Sequence, residues 1–214
     1  LALQPTIPWD QGLREQWRPG EAGALERLSR FVSGGLDHYA EARDFPAVEG
    51  TSRLSPHLHF GELSPRQVIG QVQEGRPDPG LSEPYLRELG WREFSYQLLY
   101  HFPQTPTEPL DPRFAALPWR TEDADSLLAA WQQGRTGIPI VDAGMRELWQ
   151  TGWMHNRVRM IVASLLTKNL RLPWQQGARW FWDTLVDADL ANNTQGWQWS
   201  AGTGTDAAPY FRIF

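Results

Sequence analysis

The stretch HNRVRMIVASLLTKNL places Val158, Ile161, Val162, Leu165 and Leu166 at i, i+3, i+4, i+7 and i+8, one apolar stripe with the period of an α-helix. A strand would need apolar and polar residues to alternate over several positions, and no segment of the chain does so convincingly. A chain whose apolar pattern is helical throughout buries it by packing helix on helix. The expected fold class is all-α.

Caps and breakers divide the chain. GEAGALERLSRFVSGGLDHYAEARDF predicts a helix, a break at Gly34-Gly35 and a second helix. LSPRQVIGQVQEG has Ser64 at the N-cap, Pro65 at the first helical position and Gly75 just past the end. SEPYLRELGWREFSYQLLYHF predicts a helix starting at Ser82 and Pro84, with Leu86, Leu89, Phe94 and Leu98 on its apolar side. Residues 103–120 read as a Pro-rich loop that delivers Trp119. A helix from near Pro139 stops at Gly152, a tight corner leads into the Val158 helix, and WQQGARWFWDTLV predicts one more. With Pro5, Pro8 and Pro19, residues 1–20 read as an extended lead-in, so the expected division is a linker over 1–20 and one helical domain over 21–214.

Composition narrows the chemistry. The chain has 214 residues, 41% of them hydrophobic, enough for one domain with a substantial core. With no cysteine there is neither a disulfide nor a thiolate metal site, and no metal is expected. No apolar run approaches the roughly 20 residues that span a bilayer, and LALQPTIPWD reads as the edge of a cut sequence rather than a signal peptide. A soluble, cytoplasmic monomer with no membrane partner is expected. The net charge of −5 argues against whole-surface nucleic-acid binding but leaves room for a local groove, and residues 141–172 carry a net +3. Of 20 basic residues only Lys168 is lysine, and arginine forks onto phosphates, although a GC-rich genome gives the same bias. Twelve tryptophans are more than a core of this size requires.

Three patterns carry candidate chemistry. Asn156, Arg159 and Met160 fall on one side of their helix, where a solvated face is the bland reading and a pocket partnered by Trp153, Asp187 and Asp189 the sharper one. TSRLS, residues 51–55, offers hydroxyls and backbone N–H groups to phosphate oxygens, as a plain turn also does. Gly202-Thr203-Gly204 looks like a phosphate turn, but with no preceding strand, no complete G-x-G-x-x-G and no Walker lysine it supports neither a Rossmann nor a P-loop reading.

The strings RDFPAVEGTSRLSPHLHFGELSPRQV, ELGWREF, GRTGIPIVDAGMRELWQTGWMHNRVRM and DADLANNTQGWQWSAGTGTDAAPYFRIF, in that order, resemble the flavin-binding helical domain of the DNA photolyase/cryptochrome family. GWMHNRVRM, with Met160, is most similar to the class I cyclobutane pyrimidine dimer photolyases. The resemblance implies bound FAD, reduced in its active form, and light-driven electron transfer that splits pyrimidine dimers in damaged DNA. The alternative it leaves is a cryptochrome photosensor with the same flavin and tryptophans. Family members also carry an N-terminal antenna domain and helices beyond YFRIF, so both, and any antenna chromophore, are expected to lie outside this string.

Carried over by motif, the resemblance assigns Tyr39, Thr51, Ser52, Arg53, Leu54, Ser55 and Tyr85 to the flavin, with Tyr85 standing where many members have Trp. Asp187, Ala188 and Asp189 match the acidic stretch near the isoalloxazine and ribose, Arg159 a partner for Asp187, and Asn193 the residue facing flavin N5. An amide there can hydrogen-bond N5 in either protonation state. Trp197, Trp174 and Trp119 match an electron relay from flavin to surface, with Trp131 competing for the outermost place. Trp91 and Trp199 match the walls of a pocket for a flipped-out dimer, beside Glu88, Arg92 and Met160. Arg43, Asn156 and Arg157 match DNA contacts.

Overall fold

The computed structural model describes residues 5–76 and 78–206. Its elements are α1 (Gln11–Gln16), α2 (Glu21–Arg30), α3 (Tyr39–Ala42), α4 (Ser55–His59), α5 (Pro65–Gly75), α6 (Pro79–His101), α7 (Ala124–Gln132), α8 (Pro139–Thr151), α9 (Asn156–Ser164), α10 (Trp174–Thr184) and α11 (Leu190–Ala201), with no strand among the described residues. The all-α expectation holds. The expected domain end at 214 and the motif tail over 207–214 lie outside the described residues, as do residues 1–4.

Two apolar cores form. Ala24 and Leu28 of α2, Val68 and Val72 of α5, and Tyr85 and Leu89 of α6 meet in the first. Trp131 of α7, Met145 and Leu148 of α8, Val158 and Val162 of α9, Phe181 of α10 and Trp197 of α11 meet in the second. Each pair on one helix is three or four residues apart, the spacing that stacks side chains on one face. Fully burying one such side chain is worth about 1.5–3 kcal/mol, so the stripes hold the helices far more firmly than local propensity does. The long α6 packs on α3 and α5 at one side and on α11 at the other, and α11 also packs on α9. Helix α6 therefore joins the two cores.

The ends follow their sequence signals. Ser64 caps α5 in a reciprocal box, its Oγ accepting from Gln67 N at 3.2 Å while Gln67 Oε1 accepts from Ser64 N at 2.8 Å. Gly152 closes α8 in the left-handed region at φ 67°, and its N–H bonds Leu148 O at 2.8 Å.

Elsewhere the structure corrects the reading. Gly34 and Gly35 do not break the chain: they belong to a π turn, Phe31–Gly35, that runs into a 3-10 turn, Leu36–His38, and the departure from helical dihedrals comes only at His38, just before α3. Helix α6 starts three residues before Ser82, because Asp78 caps it by accepting from Gly80 N at 2.8 Å; Pro84 then lies inside the helix. The extended lead-in contains α1, held to α8 by Trp17 Nε1 donating to Thr151 O at 2.7 Å. The NNTQGWQW segment is itself helical, in α11, with Asp189 as N-cap and Gly202 as left-handed stop. Its cavity-facing polar residues hide the apolar period, whereas both end signals were present in the sequence.

Candidate functional site

A cavity of about 670 Å³ lies between the two cores. Tyr39, Leu54, Leu58, Tyr85 and Leu89 line it from the first core and Met154, Phe181, Leu185 and Trp197 from the second.

One polar feature of its lining is a clamp built from three segments. Asp187 Oδ2 accepts from Ser55 Oγ at 2.6 Å and from Arg159 Nη2 at 2.9 Å, while Arg159 Nε donates to Met154 O at 2.8 Å. The clamp joins α4, α9 and the turn before α11, and it realises the Arg159–Asp187 pairing expected from the sequence. Asp187 Oδ1 is buried with no protein partner.

Asp189, two residues on, differs. Its Oδ1 accepts from Asn192 N at 2.9 Å and from Asn192 Nδ2 at 2.7 Å, and its Oδ2 accepts from the Tyr96 hydroxyl. His59 Nδ1 lies 3.6 Å from that second oxygen. Both oxygens are thus engaged within the protein, and these hydrogen bonds hold the carboxyl below its ordinary range although burial opposes them. Asp189 acts first as the cap of α11. Arg92 completes this network, donating to Tyr96 Oη at 2.9 Å and to Leu58 O at 3.2 Å.

The TSRLS turn faces the clamp. Arg53 is left-handed at φ 50°, and its guanidinium lies 4.3 Å from the Trp153 ring centroid. Ser52 Oγ accepts from Tyr85 Oη at 3.1 Å, and burial pushes that phenol up to about 12, so it remains a donor at neutral pH. Tyr85 also meets Phe31 at 4.7 Å and Tyr39 at 5.2 Å between ring centroids. Thr51, Leu54 and Ala188 complete this side of the lining.

The wall from α10 and α11 is aromatic. Asn193 Nδ2 donates to Ala178 O at 2.9 Å, which fixes the amide on α10. Trp197 is buried against Gly177, where a Cβ would stand 2.1 Å from the ring; only glycine admits this approach. Its ring contacts are Phe181 at 5.0 Å and Trp131 at 6.0 Å. Trp174, also buried, and Trp119, partly buried, pack in the same core without lining the cavity. Trp131 is 0% exposed, with its Nε1 donating to Val162 O at 3.0 Å, so it is not a surface residue; the loop places Trp119 nearer to solvent.

The mouth gathers the remaining predicted residues. Glu88 and the half-exposed Trp91 project from one face of α6, with Phe94 at 5.7 Å from Trp91, and Trp199 lines the same cavity from α11. From α9, Asn156 and Arg157 reach Met160 Sδ at 3.9 and 3.5 Å. Arg43 Nη1 donates to Glu88 Oε1 at 2.6 Å, and Arg157 pairs with Asp44. Sequence reasoning missed Tyr96, His59, Phe94 and Phe181 as lining or network residues. Only Tyr96 carried a signal, one helical turn after Arg92.

A second test of the cavity is what its buried polar atoms lack. Asp187, Trp197 and Gln195 line it, and their Oδ1, Nε1 and Nε2 atoms are buried with no hydrogen-bond partner in the protein. A lining that sets polar side chains among aromatic rings suits a ligand that is both flat and polar.

Residues 85–214 match the family model described as the FAD binding domain of DNA photolyase. The chain belongs to the DNA photolyase FAD-binding family. A deoxyribodipyrimidine photo-lyase of Agrobacterium fabrum is 50% identical over 99% of this chain and 44% of its own length. The crystal structure of a class III photolyase from Agrobacterium tumefaciens covers 100% of the chain, at 50% identity and a TM-score of 0.92, with 44% of that structure matched. A Synechocystis cryptochrome covers 96% of the chain at 33% identity and a TM-score of 0.84, again with 44% of its length matched. The chain thus spans less than half the length of the curated relatives it matches, and its likeness to photolyases extends beyond class I. The polar and aromatic lining fits the family's flavin, with Asp187, Arg159, Ser55, Asn193 and Trp197 all among the lining residues.

Proposed function

We propose that the protein of which this chain is part repairs cyclobutane pyrimidine dimers in DNA in a light-dependent reaction. Bound FAD, in its reduced form and excited by light, would lend the dimer an electron and recover it once the ring has split, with no net redox change. The chain's residues bind, orient and shield. The Asp187–Arg159–Ser55 clamp holds the polar edge of the cofactor out of water, and Asn193, anchored on Ala178, keeps one amide aimed across the cavity. Trp197, Trp174 and Trp119 offer aromatic groups from cavity wall toward solvent. Trp91 and Trp199 present apolar faces to a flipped-out dimer, and Glu88 brings a carboxyl to its polar edge. Arg92 sits beside that pocket, and Arg43, Asn156 and Arg157 face the DNA backbone at the lip.

The observation that carries this reading is one cavity with a flavin-like polar interior and a mouth combining tryptophan walls, a carboxylate and arginines. A cryptochrome-type photosensor is the second reading, favoured by the structural match to the Synechocystis protein. The deciding experiment follows dimer loss from damaged DNA under blue light, with the full protein and chemically reduced flavin. Repair in the light and none in darkness is expected, with Glu88→Ala lowering the yield per absorbed photon and Glu93→Ala leaving it unchanged. No dimer loss in the wild type under light would transfer the reading to the photosensor. We further propose that the protein acts as a monomer in the cytoplasm; among the described residues no helix is long and apolar enough to cross a membrane. A single species at monomer mass in size-exclusion light scattering is expected.

A further inference from the structure

The two arginines at the lip are already occupied. Arg157 donates from both Nε and Nη2 to a single oxygen, Asp44 Oδ1, at 2.8 and 2.6 Å. Arg43 Nε stands 4.0 Å from that same oxygen, while its Nη1 is held by Glu88. The order across the mouth is therefore Arg157, Asp44, Arg43, Glu88, with charges alternating and cancelling. Asp44 follows α3, whereas Arg157 lies 113 residues away on α9, so this carboxylate also spans the seam between the two cores.

We propose that Asp44 is a resident stand-in for a DNA phosphate, holding the lip arginines in the unbound protein and yielding them when a backbone phosphate arrives. The inference rests on the DNA-repair reading above. Its geometry is that of displacement. The Nε and Nη2 edge of a guanidinium is the fork that takes a phosphate, and here it grips one carboxylate oxygen instead. The side chains of Asp44 and Arg157 are 49% and 37% exposed, so the pair is well solvated and readily exchanged. A strut built for rigidity would be buried. The mouth as it stands is electrically balanced, which limits long-range attraction of undamaged DNA by a chain of net charge −5.

The test is D44N in the flavin-loaded full protein, with D125N, an exposed acid outside the cavity lining, as the control for net charge. D44N should bind undamaged and dimer-containing duplexes more tightly at low salt, on the order of fivefold, with a log K against log salt slope steeper by about one. D125N should match the wild type. Weaker binding and a flatter slope in D44N would overturn the proposal and make Asp44 a strut that orients Arg157. A second measurement separates this from failure of the DNA reading: the Arg157 Nε–Hε NMR signal titrated with inorganic phosphate. Should the wild type bind no DNA while this signal still moves, and moves at lower phosphate in D44N, the repair reading falls and the displacement stands. An Arg157 signal indifferent to phosphate in both proteins would overturn it.

Discussion

His155 shows how one side chain can serve a site without lining it. Its Nδ1 accepts from Arg157 N at 3.2 Å and caps α9, its Nε2 is buried without a partner, and Trp153 stands edge-on at 6.2 Å. Burial first, then Arg157, Arg159 and Arg53, hold its pKa below the ordinary 6.5, with Asp44 opposing. A folded value below the unfolded one means the stability due to neutral His155 is complete above 6.5 and is lost as pH falls from there toward the folded pKa. His155→Asn keeps a capping acceptor that does not titrate. Chemical denaturation at pH 7 and pH 5 should show a smaller loss of stability for this variant than for wild type, and equal losses would refute the assignment. The two aspartates call for a second comparison. Asp187→Asn leaves Arg159 facing a neutral group and should weaken flavin binding by about 2 kcal/mol. Asp189→Asn should act mainly on stability, through the cap of α11, with flavin affinity less affected. Flavin titration and thermal melts of both variants check the contrast. Motif reading gave Arg159 to Asp187 but assigned both aspartates to the flavin; only the fold distinguishes the one with an unpartnered oxygen.

Among the elements, α10 and α11 depend on each other most closely. Gly177 admits the Trp197 ring where a methyl group would stand 2.1 Å from it. Gly177→Ala therefore sets a helix-propensity gain of about 1 kcal/mol against overpacking of about 1–3 kcal/mol. Net destabilisation is expected, together with loss of light-driven flavin reduction if the ring is displaced from the cavity wall. Trp197→Phe should lose that reduction while retaining near-wild-type stability, so melts and flavin spectra under illumination separate packing from relay. An unaltered reduction rate in Trp197→Phe would make this ring a core residue only. Helix positions were largely legible because Val158, Val162, Val68 and Val72 follow the helical period and Ser64 and Gly152 mark ends. Helix α11 was not read as a helix because Asn192, Asn193 and Gln195 turn polar groups inward, which a burial pattern cannot anticipate. The partners of Arg53 and Arg157, namely Trp153 and Asp44, were invisible for another reason: contacts between residues a hundred or more apart leave no local trace in a single sequence.

At the scale of the whole molecule, α6 is, among the described residues, the long element that packs on both halves, and the polar links across the cavity are few. Away from the cavity, Gln198 of α11 donates from Nε2 to Thr105 O at 2.7 Å and Glu108 O at 2.9 Å and accepts at Oε1 from Leu110 N at 2.8 Å, which pins the loop ahead of Trp119. A space of about 670 Å³ between two separately packed cores makes its ligand a keystone. Anything that fills it touches both halves at once, and its binding free energy is added to their cohesion. The melting temperature should accordingly climb with the logarithm of free FAD concentration. Amide hydrogen exchange should slow most in α9 and α11, which border the gap, and least in α2, whose buried face belongs to one core alone. Uniform slowing throughout would mean that the halves open together as one cooperative unit. In the keystone picture the arch loosens along its joint before either pier gives way, so thermal tolerance of this protein is governed by cofactor supply as much as by its own sequence.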